Sequence, residues 1–121
     1  MKNLGIHLSW IVVKDFEAAL QFYTEVAGFT LMEKNPEYGW AELRGKEGSM
    51  LGIAKESSCS EVKAGSNTIT AITVDNIDEA VAFFQKKGVK LMGDIQEVPG
   101  HVKMQTFTDL DGNTMQLVQK L

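Results

Sequence analysis

Val13-Lys14-Asp15-Phe16-Glu17-Ala18-Ala19-Leu20-Gln21-Phe22-Tyr23 returns in type, 61 positions on, as Val74-Asp75-Asn76-Ile77-Asp78-Glu79-Ala80-Val81-Ala82-Phe83-Phe84. In each copy a valine closes a β-branched run, Asp15 or Asn76 supplies a helix cap, and apolar residues follow at helical spacing. Past the helix, Gly28-Phe29-Thr30-Leu31-Met32 is matched by Gly88-Val89-Lys90-Leu91-Met92. A repeat of about half the chain, present twice, is too long and too few for a solenoid and reads as a duplicated supersecondary unit. Two copies of one unit facing each other leave a cleft, so equivalent positions on that face become the functional candidates.

Working outward, Leu8–Val13 reads as a strand, and Asp15 opens a helix with Phe16, Ala19, Leu20, Tyr23 and Val26 on one stripe. Gly28 ends it. Strands are expected over Phe29–Glu33, Tyr38–Arg44 and Ser49–Lys55, with turns at Asn35-Pro36-Glu37 and Gly45-Lys46-Glu47-Gly48. The polar stretch Glu56–Asn67 lacks periodicity and connects the units. The second unit repeats the order: strand Thr68–Val74, a helix capped by Asn76 with Glu79 at capping-box spacing, and strand Val89–Met92. A loop carrying Pro99-Gly100-His101 follows, then strands Val102–Thr108 and Thr114–Lys120 joined by Asp109-Leu110-Asp111-Gly112-Asn113. The fold class is α+β. Two βαβββ modules, about 4–56 and 67–121, stand in tandem within one domain, 1–121, as a cupped, incomplete barrel.

With 44% hydrophobic and 23% charged residues, the chain has the balance of a globular protein. A net charge of −4 and scattered basic residues exclude a phosphate-backbone partner. No apolar run approaches the ~20 residues of a membrane span, and Met1-Lys2-Asn3-Leu4-Gly5-Ile6-His7 has no signal-peptide core. The single Cys59 cannot form an internal disulfide, and a cytoplasmic location is expected. Glu56 and Glu61 would raise its pKa, which argues against a nucleophile.

The layout, with Asp15-Phe16-Glu17-Ala18-Ala19-Leu20-Gln21-Phe22-Tyr23, Gly28-Phe29 and the late Asp109-Leu110-Asp111-Gly112-Asn113, resembles the vicinal oxygen chelate superfamily over nearly the whole chain. That group contains glyoxalase I, extradiol dioxygenases, and fosfomycin and bleomycin resistance proteins. The resemblance implies four metal-ligand columns on the first and last strands of each unit. They fall on Leu8, Gly52, Ile69 and Gln116. Leu, Gly and Ile offer no lone pair, and one Gln cannot hold a cation that needs several oxygen or nitrogen donors. Neither a metal nor another cofactor is expected.

His7 would enter the ligand column only if the first strand slipped by one residue. With Leu8, Trp10 and Val12 toward the cleft and Ile11 and Val13 toward the helix, both faces are apolar, so periodicity leaves the register open. His101, beside a loop able to fold over the cleft, is either an acid–base candidate or a solvated loop residue. Alternation places Tyr38, Trp40 and Glu42 on one face. If that face is the cleft, desolvation beside aromatics raises the Glu42 pKa and makes it a general-base candidate; otherwise it is a rim glutamate. Trp10, Tyr38 and Trp40 suit flat ligands, Met50 and Met104 add adaptable surface, and the alternative for these is core or interface.

The expected function is binding of a small organic molecule by Leu8, Trp10, Tyr38, Trp40, Met50, Gly52, Ile69, Met104 and Gln116 without a catalytic metal, similar to the antibiotic-sequestering branch. The alternatives are a metal-dependent lyase, isomerase or dioxygenase of the same superfamily, and an interaction protein whose cleft is filled. A homodimer is the expected working form.

Overall fold

A computed structural model describes residues 4, 8–58, 63–67 and 69–121. The chain divides into two compact units, Met1–Ser66 and Asn67–Leu121. The first unit runs β1 (Ser9–Val13), α1 (Phe16–Gln21), β2 (Thr30–Asn35), β3 (Trp40–Arg44) and β4 (Met50–Lys55), in the sheet order β1-β4-β3-β2. The second runs β5 (Thr70–Thr73), α2 (Ile77–Lys86), β6 (Lys90–Val98), β7 (Val102–Thr108) and β8 (Thr114–Lys120), in the order β5-β8-β7-β6. In each sheet the first strand is parallel to the last and the other neighbours are antiparallel. The architecture is therefore α+β, two βαβββ modules in tandem.

Both helices begin where the capping residues place them. Asp15 Oδ1 accepts the Ala18 N–H at 3.0 Å, and Asn76 Oδ1 accepts that of Glu79 at 3.0 Å. Such caps satisfy backbone donors that a first turn cannot pair, and each contributes about 1 kcal/mol. A third acceptor was not foreseen: Gln119 Oε1, from β8, takes the Ile77 N–H at 2.8 Å.

The first helix does not continue regularly to Gly28. After Gln21 it widens into a π-helical turn, Phe22–Val26, where Ala27 N–H donates to Phe22 O at 3.0 Å. The Thr24 hydroxyl donates to Leu20 O at 2.8 Å, occupying an acceptor of the narrower helix. The wider turn also reduces the angle between successive side chains, so the adjacent Phe22 and Tyr23 are both buried.

Each sheet buries a mainly apolar face. In the first unit Ile11, Val13, Ala41, Leu43, Leu51 and Ile53 are buried with Phe16, Leu20, Phe22 and Tyr23. In the second, Phe107, Met115 and Leu117 are buried with Ile77, Val81 and Phe84, and the Phe84 and Phe107 rings meet edge-on at 4.9 Å. Each such large side chain taken out of water stabilises its unit by about 1.5–3 kcal/mol.

Two strand boundaries depart from the sequence reading in ways that affect the candidate site. The third strand starts at Trp40 rather than Tyr38, because Asn35–Gly39 forms a turn in which Tyr38 N donates to Asn35 O and Gly39 takes a φ of +62°. Only glycine adopts that backbone cheaply. The sixth strand does not end at Met92. It runs to Val98 across a bulge between Met92 and Gln96. Buried Gln105 explains why the bulge is stable: its Nε2 donates to Met92 O, Gly93 O and Thr106 O at 3.4, 3.0 and 3.0 Å. Consequently the Pro99-Gly100-His101 segment is a hairpin turn between two strands, with His101 N donating to Val98 O at 2.9 Å, and not a loop free to cover anything. His7, Cys59 and the strand start expected at Thr68 lie outside the described residues.

Candidate functional site

Pairing settles which residues share the face turned away from each helix. Across the first sheet Trp10 pairs with Gly52 and Gly52 with Glu42; the next row is Val12, Ala54 and Trp40. Ile11 and Val13 fall in the opposite set, so Leu8, Trp10 and Val12 belong to the open face.

The centre of that face is built on a glycine. A Cβ added to Gly52 would stand 2.3 Å from Trp40 Cη2, 2.8 Å from Cζ2 and 2.9 Å from Trp10 Cβ. The Trp40 indole therefore lies over the backbone of β4, in the space a side chain at 52 would need. Its ring meets Trp10 edge-on, centroids 6.3 Å apart and planes inclined by 62°. Its Nε1–H donates to Glu42 Oε2 at 3.2 Å. Edge-on pairing of this kind is worth about 0.5–1.5 kcal/mol beyond burial, and the hydrogen bond to a carboxylate fixes the ring's rotation. Trp10 remains 48% exposed, so one broad ring is still open to solvent beside a seated one.

The second sheet presents different chemistry at the matching places. Ala71, Gln116, Thr106 and Met92 form one row, and Thr73, Val118, Met104 and Gln96 the next. Gln116 Nε2 donates to Thr106 Oγ1 at 3.3 Å. Ile69, just before β5, is 58% exposed.

Of the candidates named from sequence, Trp10, Trp40, Glu42, Met50 and Gly52 share the open face of the first sheet, with Leu8 immediately before β1. Gln116 and Met104 share that of the second. Tyr38 does not join Trp40 and Glu42. It sits in the turn before β3 and is 78% exposed, because strand alternation does not extend into a turn. His101 is exposed in the β6–β7 turn, where its backbone also accepts the Leu121 N–H at 2.9 Å. Glu33 was overlooked. The β2 bulge between Leu31 and Glu33 shifts the register and brings Glu33 opposite Glu42. The seat for Trp40 had a legible signal, since an isolated glycine inside Met50-Leu51-Gly52-Ile53 marks close approach of another group.

The four ligand columns do not suit a metal. Position 52 offers no donor and is covered by an indole, Leu8 and Ile69 are hydrocarbon, and Gln116 alone offers an amide oxygen, its Nε2 donating to Thr106. Among the described residues no group of three or more His, Cys, Asp or Glu could share an ion. A concavity of about 440 Å³ in the first unit lies elsewhere, around Lys14, Asp15, Glu17, Pro36 and Lys55 at the start of α1. Its rim is mostly charged, and the one aromatic ring that lines it, Phe16, is buried.

Among the described residues, no helix is long and apolar enough to cross a membrane. No curated protein matches the chain. Among solved structures it is similar to a member of the Glyoxalase/bleomycin resistance protein/dioxygenase superfamily from Sphaerobacter thermophilus. The two share 25% identity at a TM-score of 0.83, covering 98% of each chain. TnmS3, an antibiotic binding protein from a Streptomyces species, shares 25% identity at a TM-score of 0.76, covering 99% of this chain and 100% of its own. The genomically encoded fosfomycin resistance protein FosX from Listeria monocytogenes shares the fold at 18% identity and a TM-score of 0.76, over 99% and 96% of the two chains. The family model for these proteins matches residues 5–117, and the chain belongs to the Glyoxalase/Bleomycin resistance protein/Dioxygenase superfamily.

Proposed function

We propose that this protein binds a small, flat organic molecule on the open face of its first sheet and does so without a catalytic metal. One observation carries the reading: the Trp40 indole lies over Gly52, edge-on to Trp10 and hydrogen-bonded to Glu42, where a metal-using relative would present a ligating side chain. Trp10 gives a stacking surface, Trp40 a rigid wall, and Leu8 and Met50 an adaptable apolar border. Micromolar affinity needs about 8 kcal/mol, within reach of a drug-sized ligand on such a surface. The antibiotic-binding relative supports a sequestering role over turnover. Among the described residues the lyase, isomerase or dioxygenase reading lacks donors for its ion.

A fluorescence screen of planar aromatic compounds and peptide-like antibiotics tests the reading. At least one compound should quench tryptophan emission to saturation, and the purified protein should retain no stoichiometric Ni, Zn, Mn or Fe after incubation. Micromolar or tighter metal binding that depends on Gln116 would reject it. We also propose a homodimeric working form, since exposed strand edges and apolar surface favour pairing. Sedimentation equilibrium showing only the 13.4 kDa species at tens of micromolar protein would reject that assembly.

A further inference from the structure

We infer that the ligand of the first sheet's open face carries a positive charge beside its flat rings, a protonated amine or quaternary ammonium, held by Glu42 against the two tryptophans. The inference rests on the reading of that face as the binding surface and adds the charge of what binds. Glu42 is half-buried, and its Oε2 accepts the Trp40 Nε1–H at 3.2 Å. An ionised carboxylate has about four lone-pair sites, so most of its accepting capacity remains for a ligand.

Among the described residues no ion pair involves Glu42; the pairs formed are Lys34–Glu17 and Lys103–Glu97. Arg44, a cation on the same face, lies against the Gly45–Ser49 turn, where a Cβ built on Gly48 would stand 3.4 Å from its Nη2. Glu33 stands opposite Glu42 across β2 and β3, and like charges in that position repel. A neutral ring laid over this face would strip water from Glu42 and leave it unpaired. A cation would instead be attracted by both carboxylates and by the negative faces of the indoles. The chain's net charge of −4 adds attraction at longer range.

Two probes of nearly equal shape separate the charge from the ring: 1-methylquinolinium and neutral quinoline, titrated by calorimetry near neutral pH. The wild type should bind the cation about tenfold more tightly than quinoline. Glu42→Gln keeps an oxygen that accepts the Trp40 N–H, so the indole stays seated. In that variant the preference should fall to near unity, chiefly through weaker binding of the cation. Equal binding of both probes by the wild type would overturn the charge inference and leave the aromatic reading standing. A preference that survives in Glu42→Gln would overturn it as well. Failure of both probes to bind, with Trp10→Ala indistinguishable from wild type, would overturn the inference and the binding face together.

Discussion

On the open face of the first unit Trp10, Trp40 and Glu42 surround a glycine; on the same face of the second, Ala71, Met104 and Thr106 surround a glutamine. The helix-facing sides diverge far less. Ile11, Ile53 and Leu51 answer to Ile72, Leu117 and Met115, and both helices start from a capping Asp or Asn. Packing against a helix demands apolar side chains of about the right volume in either copy. The open faces carry no such demand, so their chemistry separated: one became a seat for rings and a carboxylate, the other a row of small and hydrogen-bonding groups. On the proposed reading, recognition falls mainly on the first unit.

Copying the second unit into the first should break the comparison most severely. Gly52→Gln reproduces Gln116, but its Cβ would stand 2.3 Å from the Trp40 ring, and the indole must leave. Urea denaturation should show a loss at the upper end of about 1–3 kcal/mol, with tryptophan emission shifted toward the solvated range. Adding Trp40→Met, the residue at the matching place in β7, should recover about 1 kcal/mol or more, because the two sites share one volume. Additive losses in the double variant would show that Trp40 does not depend on Gly52 for its seat.

The last turns of the two units offer a milder contrast. Asp109 accepts from Asp111 N, Asn113 N and Asn113 Nδ2 at 2.9, 2.8 and 2.8 Å, and Asn113 is fully buried. The first unit closes the same connection with backbone bonds, Gly45 N to Ser49 O and Gly48 N to Gly45 O. Asp109→Ala should therefore cost about 2 kcal/mol in thermal or urea unfolding, since it orphans buried donors. Glu47→Ala, exposed in the other turn, should stay within about 0.5 kcal/mol. Equal effects would mean that the polar lock of the second turn contributes nothing.

A smaller effect is expected at the one helix-side position where the units differ in polarity, Ala41 against Gln105. Gln105→Ala leaves the carbonyls at the β6 bulge short of a donor and should cost about 1–2 kcal/mol by the same measurement. A loss near zero would show that the bulge holds its shape without that amide.

Reading the sequence first shows which of these features residue order encodes. Helix starts, repeat period and the last two strands were legible because Asp15, Asn76, Val102–Thr108 and Thr114–Lys120 announce them through local chemistry and alternation. The π-helical turn was not, since it depends on burying two adjacent aromatics, and nor was the long β6 strand, whose bulge is held by Gln105 from a neighbouring strand. The candidate face was half legible. Period two put Trp40 and Glu42 on one face without fixing which, and it also carried Tyr38 wrongly into the strand. The register of β1 was ambiguous because both its faces are apolar, and only pairing with β4 resolves it. Glu33 was hidden because a bulge changes which face a residue meets.

The most direct measurement is the calorimetric dissociation constant of a planar compound selected by the fluorescence screen, taken for wild type, Trp10→Ala and Trp40→Ala, each with and without EDTA. An aromatic face that grips its ligand without a metal predicts the same constant in EDTA and at least several-fold weaker binding once Trp40 is removed. Binding abolished by EDTA, or affinity unchanged in both tryptophan variants, would contradict it.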